Sequence, residues 1–137
     1  MLTVVIIFQA LLWIWFLGAT TTYRFGRVFL VEGMGVKSAE FCVLCLYSLG
    51  VALFHVYLPV GRWFLLGILL LWAAVQFRCH WYFTIFGASE RKLQGYNDCF
   101  KGTVRIFPMS ESRLVPDLYH ILLHVLIVGN IVCAILR

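Results

Sequence analysis

Four apolar runs dominate the chain and decide which solvent it folds in. The first covers about residues 2–19, with Gln9 as its strongly polar side chain. The second covers about 41–58 and is interrupted by His55. The third covers about 60–83 and ends in the aromatic series Trp81-Tyr82-Phe83. The fourth covers about 117–136 and carries His120, His124 and Asn130. Each is near the roughly 20 residues a helix needs to cross about 30 Å of hydrocarbon. In lipid, backbone groups must bond within their own segment, so runs of this kind are helices. A membrane β-barrel would alternate apolar and polar residues, and none of the four does.

Charge content supports the same reading. Only 12% of the 137 residues are charged, against about 25% in soluble domains. That leaves too little polar surface to clothe a globule. The expectation is an all-α integral membrane domain spanning 1–137, with four transmembrane helices and two longer loops, about 20–40 and 84–116. The net charge of +5 lies in loops between apolar runs, which argues against nucleic acid as a partner.

Lysine and arginine set the expected orientation. Arg24, Arg27 and Lys37 follow the first run, and Arg78, Arg91, Lys92, Lys101, Arg105 and Arg113 follow the third. These nine fall on one side and Arg62 and Arg137 on the other, which accounts for all 11. The positive-inside rule then places both long loops in the cytoplasm and both termini outside, in a multi-pass protein of the cell membrane. No basic residue precedes the first run, so it reads as a retained helix and not a cleaved leader.

The loops carry local signals. Ser38 with Glu40, and Pro116 with Asp117, open the second and fourth helices as caps. Pro59 and Gly61 are expected to form the short outer turn. Asn97-Asp98 and Lys101-Gly102 read as turns. Thr103 to Phe107 is β-prone but has no apparent partner. Gln9 and Asn130 lie at matching depths, which predicts that the first and fourth helices are neighbours joined by a hydrogen bond.

Several polar residues converge on the cytoplasmic ends of the helices. Asp117, His120 and His124 fall at i, i+3 and i+7, along one helical face. Histidines four apart suit a metal or a haem iron, with an acid one turn below to orient an imidazole. His80, at the end of the third helix, is the candidate partner across the bundle. Arg91, Lys92 and Lys101, interleaved with aromatics, suit anionic lipid headgroups. Cys42 and Cys45 form a CxxC inside an apolar helix, where packing explains them better than redox or zinc chemistry. No Walker loop, GxSxG or HExxH motif occurs, and no particular cofactor is specified.

Two functional classes remain open, and the first is the leading expectation. One is an accessory, assembly or transport subunit that works through helix contacts with other membrane subunits or with copies of itself. Small residues such as Ser48, Gly50, Ala52, Gly67, Ala74 and Gly129 would permit close approach. The other is a membrane enzyme acting on a lipid, or a haem or metal protein. In it Asp117, His120 and His80 serve catalysis and His120 and His124 hold a cofactor. A conducting channel would need an oligomer to complete a ring of charge.

Overall fold

The computed structural model describes residues 2–137. Its main elements are four apolar helices. Helix α1 is Leu2–Leu17, α2 is Ala39–Val56 and α3 is Leu58–Gln76. Helix α3 continues through a π-helical turn, Phe77–Trp81, into α4, Tyr82–Phe86. After α5, Glu90–Cys99, the chain ends in α6, Leu118–Leu136.

Three of these stretches are long and apolar enough to cross a membrane: Ala39–Val56, Leu58–Phe86 and Leu118–Leu136. Helix α1 is a shorter apolar helix of 16 residues. The outward faces are aliphatic, with Ile7, Ile14, Leu49, Leu71, Val125 and Ile135 all exposed. In water such a surface would drive aggregation. The chain is a helical integral membrane protein.

Both faces of each helix are apolar, so burial in lipid gains little from the hydrophobic effect, and fit and polar bonds hold the helices together. The core runs through Leu12, Phe16, Tyr47, Leu65, Leu69, Trp72, Leu123 and Ile127. Phe16 and Trp72 pack with ring centroids 3.8 Å apart. The tight α2–α3 hairpin depends on Gly61, where a Cβ would stand 2.2 Å from the Leu53 carbonyl carbon. The expected turn at Pro59 and Gly61 is therefore corrected. The chain reverses at Tyr57, Pro59 lies in the first turn of the helix that begins at Leu58, and Gly61 lies within it.

Helices α1 and α6 are neighbours, as the matching depths of Gln9 and Asn130 predict. Their link differs from the expected direct bond. Asn130 Nδ2 donates to the Phe8 carbonyl at 2.9 Å. The Tyr47 hydroxyl, from α2, reaches Asn130 Oδ1 at 3.0 Å and the Gln9 carbonyl at 3.2 Å. The Gln9 side chain instead meets His55 Nε2 at 2.8 Å. Nearer the loops, Trp15 Nε1 donates to the Tyr119 carbonyl while the Tyr119 hydroxyl donates to that of Trp15.

The loops hold more regular structure than expected. Residues 20–40 include an antiparallel hairpin, β1 (Tyr23–Phe25) and β2 (Val28–Val31). Gly26 takes the φ of +61° that its two-residue turn requires. The β-prone stretch does find a neighbour there, since the Val104 N–H donates to the Phe29 carbonyl at 3.2 Å. Asn97-Asp98 is not a turn but part of α5, which buries Leu93 and Tyr96 against Leu114. The expected caps are present: Ser38 Oγ accepts from the Phe41 N–H, and Asp117 accepts from the His120 N–H.

Candidate functional site

The loop ends of α1, α3 and α6 meet beneath the hairpin and α5. There they enclose a cavity of about 500 Å³, lined on one side by His80 and His120. Each histidine is held by a specific local device.

His120 is placed by the start of α6. Asp117 is the N-cap, and its Oδ1 accepts the backbone N–H of His120 at 3.0 Å. The same oxygen lies 2.6 Å from His120 Nδ1. A carboxylate accepts only, so Nδ1 carries the proton and Nε2 is the nitrogen left for other partners. Asp117 is 1% exposed, and its Oδ2 has no partner. Burial pushes this carboxyl up. The hydrogen bonds from His120 outweigh it and hold the group below the ordinary carboxylate range. Thr103 also contributes, although its hydroxyl donates mainly to the Phe100 carbonyl at 2.9 Å.

His80 is placed by the π-helical turn, in which the Tyr82 N–H reaches back to the Phe77 carbonyl. Such turns insert one extra residue and often occur at functional sites. His80 is 6% exposed, and its Nδ1 lies 2.7 Å from the Tyr96 hydroxyl. Burial raises the Tyr96 hydroxyl well above its ordinary value, so it stays a phenol. The two imidazoles stack, with centroids 3.9 Å apart and planes 25° from parallel. Phe100 closes the cluster, its ring 5.0 Å from that of His120 and 5.7 Å from that of His80.

The structure thus brings together Asp117, His120 and His80. It does not bring His124 to them: that ring meets the Trp81 indole edge-on at 5.9 Å, away from the cavity lining, and its Nδ1 has no partner. Arg91, Lys92 and Lys101 are exposed and none lines the cavity. Lys92 lies over the Phe83 ring at 5.0 Å. Cys42 and Cys45 lie on an exposed face of α2, whereas Cys79 and Cys99 line the cavity. Among the described residues, no three His, Cys, Asp or Glu side chains are grouped closely enough to share a metal ion.

Sequence reasoning missed Tyr96, Phe100 and Gln76. Leu93, Tyr96 and Phe100 are spaced i, i+3, i+7, the signature of one buried helical face, and that pattern could have revealed α5 and its contribution. Gln76 gave no signal beyond being a polar residue near a helix end. No protein-family model, curated protein or solved structure matches the chain.

Proposed function

We propose that this chain is a four-span protein of the cell membrane that performs acid–base chemistry on an amphiphilic small molecule. Asp117 orients the His120 imidazole and balances its charge. His120 Nε2 gives or takes the proton. His80, backed by the Tyr96 hydroxyl, serves as the second proton-handling group. The observation that carries this reading is the stack of two hydrogen-bonded imidazoles, each with Nδ1 committed, on the wall of one cavity. A purely structural role would need no second buried dyad, since buried ionisable groups near a membrane are costly.

The test works with the substrate still unidentified. Lipids and small metabolites are profiled in a deletion strain carrying wild-type, Asp117→Asn or His120→Gln protein. The same compound should accumulate in the deletion and in both variants, at normal protein abundance. Full complementation by both variants would overturn the reading.

The orientation proposed is both termini outside and both long loops inside, on the distribution of basic residues. Helix α1, about 24 Å long at 1.5 Å per residue, crosses with its ends among the headgroups. Cysteine labelling should find positions beside Arg62 reachable from outside and positions beside Lys101 reachable only from inside. Labelling of Lys101 positions in intact cells would reverse the orientation.

A second reading, an accessory or assembly subunit acting through helix contacts, is favoured by an open groove between α1 and α2. This groove of about 560 Å³ is lined by small residues, Ala10, Ser48 and Ala52, among larger apolar ones and the polar pair Gln9 and His55. Enlarging Ala52 to Leu should break a complex with another membrane subunit under that reading, and leave the metabolite profile unchanged under the first.

A further inference from the structure

We propose that the tip of the β1–β2 hairpin is an anchor in the membrane interface, where Phe25 and Val28 enter the acyl boundary and Arg24 and Arg27 hold the phosphates of anionic lipids. Cross-strand partners share a face of a hairpin. The pairs Tyr23–Val31 and Phe25–Val28 make one face, and Arg24 with Phe29 makes the other. A register shift between Tyr23 and Arg24 lets Val28 and Val31 fall on the same side. The bundle covers the base of this apolar face: Val31 is 5% exposed within the core, and Tyr23 packs against that core. The tip overhangs the bundle, with Phe25 66% exposed and Val28 46%.

The base of the hairpin fixes the level of its tip. The Tyr23 hydroxyl donates to the Ile14 carbonyl, three residues inside the last residue of α1. The Tyr23 ring lies along α1 at Gly18, where a Cβ would stand 2.7 Å from Tyr23 Cδ2, so only glycine permits this approach. The Ile14 side chain is 55% exposed on the lipid-facing surface. Tyr23 therefore stands in the layer that interfacial tyrosines occupy. The Phe25 ring is 6.1 Å from that of Tyr23 on the same face, so the apolar tip continues the lipid-facing surface of α1. Charge selects the lipid. The strands and their turn carry two arginines and no acid. Arg27 is exposed in the turn, and the Arg24 guanidinium lies over the Phe29 ring at 5.0 Å. Neither meets a carboxylate, since the one ion pair among the described residues is Asp117–His120. Glu32, the residue after β2, stands at the base, on the wall of the His80/His120 cavity. An apolar surface flanked by long cationic side chains that reach out to phosphates is the pattern of an interfacial anchor.

The test uses the full chain in nanodiscs of phosphatidylglycerol and phosphatidylcholine, in equal parts and with matched chains. Benzoylphenylalanine replaces Phe25, and irradiation joins it to C–H bonds within reach. Mass spectrometry of the adducts then identifies the neighbouring lipid. The same replacement at Leu71, exposed in mid-span, gives the reference ratio of the two lipids. The expected result is lipid adducts at Phe25 with phosphatidylglycerol about 5-fold over that reference. Arg24→Gln combined with Arg27→Gln should return the ratio to the reference while lipid is still captured, and high salt should shrink the excess. Absence of lipid adducts at Phe25 overturns the anchor. So does a protein adduct in their place on irradiation in the membranes of the expressing cell, which would make the tip a protein contact. A ratio at Phe25 equal to that at Leu71, or an excess untouched by the double substitution, overturns the hold on anionic headgroups.

Discussion

His80 and His120 stack with centroids 3.9 Å apart, and each turns its Nδ1 to a different partner. The stack therefore couples two dyads built on different helices, His80 with Tyr96 and His120 with Asp117.

Asp117 has two duties that substitution can separate. Asp117→Ala removes the N-cap of α6 and leaves the buried His120 Nδ1–H without its acceptor. The expected loss is about 2–3 kcal/mol. Asp117→Asn keeps a capping oxygen and should lose about half as much, while abolishing the charge that balances His120. Reversible unfolding in mixed micelles measures both. Equal stability of wild-type and Asp117→Ala protein would contradict the observed bonds.

The same carboxylate predicts an acid limit to stability. Its acidity is greater in the folded chain than at its ordinary pKa of 3.8. Its contribution is therefore complete above that value and is lost as pH falls through the lower, folded value. The unfolding midpoint should drop below about pH 4 in wild-type protein and drop less in Asp117→Asn. Parallel curves for the two proteins would rule this out.

Gly61 and Gly67 provide a matched pair on one helix. A Cβ on Gly61 would meet the Leu53 backbone at 2.2 Å, whereas nothing lies within 4 Å of one on Gly67. Gly61→Ala should force α2 and α3 apart at a cost of about 3 kcal/mol or more. Gly67→Ala should be neutral or stabilise by up to about 1 kcal/mol. Thermal unfolding in nanodiscs compares the two directly, and similar effects would count against the α2–α3 packing.

Tyr47→Phe tests the polar layer in the middle of the bundle. It deletes the hydroxyl that reaches Asn130 and the Gln9 carbonyl while keeping the ring against Trp72. A loss of about 1 kcal/mol is expected. Double-mutant cycles with Asn130→Ala should show coupling, and additive losses would mean that the bond carries no energy.

The apolar helices were legible in the sequence because length and hydropathy alone set them. So were the caps at Ser38 and Asp117, which depend on residues a few positions away. The shared face of Asp117 and His120 was legible too, since helical spacing dictates it. His124 lies one turn further along the same helix, where its ring meets that of Trp81. The hairpin at 23–31 escaped notice because its strands are three and four residues long and gain a neighbour from a distant segment. The placement of Tyr96 was hidden for the same reason: α5 is polar overall, and it meets the π-helical turn and α4 only in the folded chain.

The π-helical turn at Phe77–Trp81 takes up one extra residue within one long helix. Loss of a single codon within it would relax the turn to ordinary α geometry, with the helix on either side keeping its register because the wide turn already absorbs the extra residue. Leu65, Leu69 and Trp72 lie upstream, so their packing would keep its register. His80 lies inside the turn and would lose the backbone geometry that sets it against His120. One in-frame deletion would therefore alter the candidate site and leave the membrane scaffold intact.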